Sequence, residues 1–217
     1  MPRKGFIFIL SNVINVLIAN VAIFCRIKAA KRADLGKNRY FCYRNQLTWR
    51  GMIQIEEQQI IAAAEKGMDA FLKVFTDAYL EALGGDPTAE KMEILNGFQH
   101  TLLAYRFFAD EVNEGGFVQL IQNGYGGYLF GNPVAKALKQ MGAKGMSKIL
   151  YKAKEIYDAR REELERETTE EEFMAMYADF EVFDELEEKF FYIEEEETLQ
   201  IARYVDEHLE DFAEILS

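Results

Sequence analysis

From Ile55 onward, apolar residues recur every three or four positions, the spacing that lines one face of an α-helix. Ile61, Ala64, Met68, Phe71, Phe75, Tyr79 and Leu83 make one such stripe and predict a helix of about seven or eight turns. Gly84-Gly85 ends it, because glycine accepts the left-handed backbone found at helix C-termini. Asp86-Pro87 reads as the N-cap and first residue of the next helix, whose inward stripe is Leu95, Phe98, Leu102, Tyr105, Ala109 and Val112.

A glycine-rich stretch follows, "NEGGFVQLIQNGYGGYLFGNP", residues 113–133, with six of the chain's fifteen glycines between Gly115 and Gly131. Phe117, Leu120 and Ile121 keep helical spacing inside it, so Gly115-Gly116 read as a close approach between two elements and Gly124 as a helix stop. Asn132-Pro133 repeats the cap-then-proline start, and Gly142 closes that short helix. A longer helix then turns Met146, Ile149, Leu150, Ala153 and Ile156 inward. Thr169 with Glu172 three residues later predicts a capping box, in which each side chain takes the other's free backbone N–H. Phe173, Met176, Tyr177 and Phe180 open the next apolar face, Phe183, Leu186 and Phe190 continue it, and Ile201, Val205, Leu209, Phe212 and Leu216 close the chain. No segment alternates with period two for long enough to predict a strand. The expected fold is all-α, a single bundle of about seven helices over residues 52–217.

Charge divides the chain in two. Residues 1–51 carry ten Lys/Arg and one acid, a net +9; residues 52–217 carry the remaining fifteen against thirty-six, a net −21, and the two sum to the overall −12. Within the first part, Gly5 to Cys25 is uncharged for twenty-one residues, and a membrane-spanning helix needs ~20. Two cations precede that run and six follow it closely, which by the positive-inside rule would leave the following domain in the cytoplasm. Asn12, Asn15 and Asn20 oppose insertion. The competing reading takes Met52 as the true start and residues 1–51 as an upstream extension, with a purely cytoplasmic domain. Both cysteines, Cys25 and Cys42, sit in this extension, so the helical domain has neither a disulfide framework nor zinc spacing.

Catalytic chemistry finds little to build on. His100 and His208 have no partner at metal-ligand spacing, and Asp206 and His208, two apart, point to different faces of a helix. A P-loop needs Lys-Ser/Thr after its glycines, and a dinucleotide fingerprint needs a strand before them; "GYGGYLFG" has neither, and no cation lies between Arg106 and Lys136. The acids crowd polar stretches instead of the apolar settings that tune a catalytic pKa. We therefore expect no catalytic, metal or cofactor-binding residues, and no cofactor.

"EVNEGGFVQLIQNGYG", followed by "AKALKQMGAK", resembles the core motif of the DNA-mimic-like bacterial helical domain family. Glu111, Val112, Gly115, Gly116, Phe117, Gln119, Asn123 and Gly126 match its pattern, as does Met141-Gly142-Ala143 at the later helix end. Glu114 departs from it, standing where the family commonly has Asn. The resemblance spans about residues 90–160. It implies an all-helical, non-enzymatic protein in which Gly115, Gly116, Phe117, Gln119, Asn123 and Gly126 set the fold, and a partner that is a basic DNA-binding protein met by acids in place of phosphates.

The sequence offers acids for that role. Glu162 to Glu197 holds seventeen against Arg166 and Lys189, a net −15 in thirty-six residues. Glu162, Glu163, Glu170, Glu171, Asp184, Glu185, Glu187, Glu188, Glu194 and Glu195 are the expected partner-binding set. Such a field would draw in a basic surface and repel nucleic acid itself. The alternative is a helical scaffold, self-associating through its Phe- and Tyr-rich helices, whose acids only keep it soluble.

Overall fold

The computed structural model describes residues 53–85 and 87–217. The expectations for the apolar run at 5–25, the basic extension, Cys25 and Cys42, the Met52 start and the Asp86 cap lie outside the described residues. In chain order the elements are β1 (Gln54–Glu56), α1 (Glu57–Ala64), α2 (Met68–Ala82), α3 (Ala89–Met92), α4 (Gly97–Gln122), α5 (Gly126–Gly131), α6 (Val134–Gln140), α7 (Lys144–Leu164), α8 (Glu170–Asp179), a single 3-10 turn (Glu181–Phe183), α9 (Asp184–Glu207), α10 (Leu209–Phe212) and β2 (Glu214–Leu216). The fold is all-α, as the periodicity predicts. Seven of the ten helices among the described residues run for seven residues or more. Two compact units divide it: residues 53–94 with 205–217, and residues 95–204.

In the first unit, the stripe predicted as one helix is two. Gly67 stands between α1 and α2 with φ +127°, a conformation that a side chain opposes, so Ile61 and Ala64 belong to one helix and Met68, Phe71, Phe75 and Tyr79 to the next, with Leu83 at its C-cap. Gly84 and Gly85 do end α2, at φ +73° and +78°, and the Gly85 N–H reaches back to the Leu80 carbonyl at 2.8 Å. Thr88 caps α3, its Oγ1 accepting from the Lys91 N–H, so Pro87 precedes the helix instead of opening it. Phe71, Phe75 and Tyr79 are fully buried with Val205 and Phe212, and the rings of Phe75 and Phe212 meet edge-on at 6.4 Å. The Tyr79 hydroxyl donates to the Phe212 carbonyl at 3.0 Å. The chain's end is also not the continuous helix its apolar spacing predicts. It breaks at His208 (φ −136°), turns once as α10, and adds β2 parallel to β1, with Ile55 opposite Ile215. Each strand has three residues, too few for a period-two pattern to register.

The second unit is organised by α4. Asn96 and Gln99 form a capping box at its start: the Asn96 side chain accepts from the Phe98 and Gln99 N–H groups, and Gln99 Oε1 accepts from the Asn96 N–H at 2.9 Å. Leu102, Tyr105, Ala109 and Val112 are buried as predicted; Phe98 stays partly exposed and stacks on Tyr204 at 6.4 Å. Gly124 (φ +87°) and Gly142 (φ +99°) end α4 and α6 by the same reach-back bond, Tyr125 N–H to Leu120 and Ala143 N–H to Leu138. Asn132-Pro133 behaves otherwise than predicted. The Asn132 amide closes α5 by donating to the Tyr128 carbonyl, and α6 starts after Pro133 with no side-chain cap. The Thr169–Glu172 capping box forms at α8, with Thr169 N–H to Glu172 Oε2 at 2.8 Å.

Candidate interaction site

The glycine motif sits inside α4, where Gly115 and Gly116 leave helical geometry; Gly116 lies at φ +73°, ψ −169°. Breaking a helix frees backbone groups that must find other partners once water is excluded. Two are taken by the segments that follow: the Phe117 N–H donates to Glu187 Oε1 of α9 at 2.8 Å, and the Gly115 carbonyl accepts from the Tyr177 hydroxyl of α8 at 3.0 Å. A Cβ on Gly116 would overlap the Glu187 carboxylate, and one on Gly115 would overlap the Gln119 amide. At Gly116 the positive φ also opposes a side chain, whereas at Gly115 the Gln119 amide would have to move.

The polar motif residues bind across the same break. Glu111 Oε2 accepts from Gln119 Nε2 at 3.0 Å and from Asn123 Nδ2 at 2.8 Å, tying the helix before the kink to the helix after it. Glu114, where the family commonly has Asn, receives only a long bond from Gln119, at 3.5 Å. Phe117 is fully buried, stacked on Phe183 at 5.2 Å and near Phe108 at 5.8 Å. Gly126 lets Tyr157 approach, since a Cβ there would lie 2.9 Å from the ring. The motif is a joint: it kinks α4 and gives the acidic segment a fixed seat.

That seat sets which acids face water. Glu162, Glu163, Glu170, Glu171, Asp184, Glu185, Glu188 and Glu195 are exposed. Glu187 and Glu194 are half-buried on the inner edge; Glu194 accepts from Asn113 Nδ2 at 2.6 Å. Burial pushes the Glu187 carboxyl above its ordinary pKa, against the lowering effect of the Phe117 N–H, and the charge of Asp184 adds to the rise. Glu163 and Glu185 are held below the ordinary carboxylate value by hydrogen bonds from Arg160 and Lys189. Glu197, outside the predicted set, accepts from the Gly145 and Met146 N–H groups at 2.9–3.0 Å, placing a carboxylate at the N-terminus of α7. A sequence signal for it exists only in hindsight: Ala143, at the N-cap of α7, has no side chain that could cap the helix, so the donors of its first turn had to be met from elsewhere.

His100 Nδ1 lies 3.0 Å from the Tyr128 hydroxyl, which donates to the His100 carbonyl at 3.1 Å. Among the described residues no group of three or more His, Cys, Asp and Glu could hold a metal ion, and no helix is long and apolar enough to cross a membrane.

An all-α fold, a kinked helix built on the GGF motif and an acidic pair of helices seated on that kink together define a protein of the DNA-mimic-like class. The chain belongs to the DMP19-like protein family, whose sequence profile matches residues 93–208, from just before α4 to the end of α9. It is 34% identical over 149 residues to the DNA mimic protein DMP19 of Neisseria meningitidis serogroup B, an alignment covering 67% of this chain and 88% of that relative.

Proposed function

We propose that this chain is a non-enzymatic interaction protein that imitates DNA, occupying the DNA-binding surface of a basic partner protein through the exposed acids of α8 and α9. The observation that carries this reading is the outward stripe of α9. Asp184, Glu185, Glu188, Glu195 and Glu196 are exposed there against one cation, Lys189. Twelve residue steps at about 1.5 Å each make the stripe ~18 Å long. Five acids over that length average ~4.5 Å apart, with a gap of ~10 Å between Glu188 and Glu195, against one phosphate per ~3.4 Å along a single DNA strand. The DMP19-like family profile spans the same helices. Glu162, Glu163, Glu170 and Glu171 extend the negative surface, and Glu187 and Glu194 form its inner edge. The same field repels nucleic acid, so the partner is protein.

The test is competition. Proteins from the native host's lysate are loaded on immobilised duplex DNA and challenged with the full chain. We expect release of a DNA-binding protein, falling as salt rises, and weaker release by a chain carrying Glu188→Lys and Glu195→Lys. Both positions are exposed, so the fold should survive the change. Release that ignores salt and both substitutions, or no release at all, refutes the reading.

A further inference from the structure

Two aromatic rings stand out on the acidic stripe. Tyr192 is 91% and Phe191 52% exposed, although Phe180, Phe183 and Phe190, their nearest aromatic neighbours along the acidic segment, are buried. Helical spacing places them in the middle of the acids, not beside them: Glu188 lies three and four residues before the pair, and Glu195 four and three after it. Phe191 is held by an edge-on contact with buried Phe190, ring centres 5.7 Å apart. A face that served only solubility would gain nothing from such rings, and carboxylates alone attract lysine and arginine alike.

The chain shows elsewhere what an aromatic ring beside a glutamate accommodates. The Arg160 guanidinium lies 4.2 Å from the centre of the Phe180 ring while pairing with Glu163. Arg161 lies 5.5 Å from the Tyr157 ring while pairing with Glu165 at 2.8 Å. In both, a flat, weakly hydrated guanidinium covers the ring and directs its N–H groups at the carboxylate, which a compact, strongly hydrated ammonium does poorly. Building on the mimicry reading, we propose that Phe191 and Tyr192, flanked by Glu188 and Glu195, form an arginine-reading patch that selects partners presenting guanidinium groups over equally charged lysine surfaces. The acids set the long-range attraction and its salt dependence. The rings set the arginine preference, a short-range term that salt screens little.

The experiment measures binding of octa-arginine and octa-lysine peptides to the full chain and to Tyr192→Ser, Tyr192→Phe, Tyr192→Leu and Phe191→Ser variants across a salt series. A ring engaged by a guanidinium at an exposed site should favour arginine by roughly two- to fivefold. We expect Tyr192→Ser, Tyr192→Leu and Phe191→Ser each to cut the arginine-to-lysine affinity ratio by about that factor with the salt slope unchanged, and Tyr192→Phe to preserve the ratio. An unchanged ratio in the serine variants overturns the proposal. So does a preserved ratio in Tyr192→Leu, which would make the contact merely apolar. Sedimentation supplies a further arm: if Tyr192→Ser dissolves a self-associated wild type and leaves the ratio intact, the face joins copies of this chain and the proposal fails. These outcomes are separate from failure of the mimicry reading, which is read from displacement on duplex DNA and does not depend on the peptide ratio.

Discussion

Glu187 offers the sharpest test of how the glycine motif works. Its carboxylate accepts the Phe117 N–H that the kink at Gly116 releases, beside a side chain that is wholly buried. Glu187→Ala removes the acceptor and leaves that N–H without a protein partner, at a cost of about 1–3 kcal/mol. For a chain of this size each kcal/mol moves Tm by about 2–4 °C, so a fall of roughly 2–12 °C is expected. Glu187→Gln keeps an oxygen acceptor and removes the charge that burial opposes. At pH 7 it should therefore melt no lower than wild type. The pH dependence has a definite sign. A carboxyl whose folded pKa lies above its unfolded value binds its proton more readily when folded, so wild type gains stability as pH falls through the folded pKa, and the gain is complete below the ordinary carboxylate value. The margin of Glu187→Gln over wild type should accordingly shrink from pH 7 toward pH ~4. Thermal unfolding followed by circular dichroism at several pH values reads both effects. Equal destabilisation by Ala and Gln, or no destabilisation by Ala, would refute the role assigned to this acceptor.

Two further perturbations probe other joints of the fold. Gly116→Ala forces a side chain into left-handed backbone at about 1–2 kcal/mol and also displaces the Glu187 carboxylate, so its loss in Tm should exceed that of an alanine placed at exposed Gly131. Tyr79→Phe removes the buried hydroxyl that donates to the Phe212 carbonyl; we expect a loss of about 1 kcal/mol, and faster amide exchange at residues 212–216 than in wild type.

The resemblance to the DNA-mimic-like family rested on residues that now have physical roles. Gly116 is required by its positive φ, with the Glu187 carboxylate in the space a Cβ would take; the Gln119 amide packs against Gly115, and Glu111, Gln119 and Asn123 cross-brace the two halves of α4. None of them needs chemistry beyond hydrogen bonding. The motif can thus mark the family without being its binding surface.

Local devices were legible in the sequence because they are closed within a few residues. The Thr169–Glu172 box, the stops at Gly84-Gly85, Gly124 and Gly142, and the inward stripe of α4 depend on neighbours three to five positions away. The excess of acids after Glu162 is likewise a property of composition alone. Features that depend on distant partners were not legible. Glu187 meets Phe117 across seventy residues, and Gln54 pairs with Glu214 across 160. Gly67 divides what periodicity alone joins, because apolar spacing continues undisturbed across the break. Tyr192 points to solvent although its residue type favours burial, since the seat of α9 on the kinked helix decides which way each face turns. Helix content, stops and charge came from the sequence by itself. Which acids are spent on backbone donors, and which are left to face a partner, was decided only by the packing of α8 and α9 against the break in α4, because a carboxylate's role depends on the donor that reaches it.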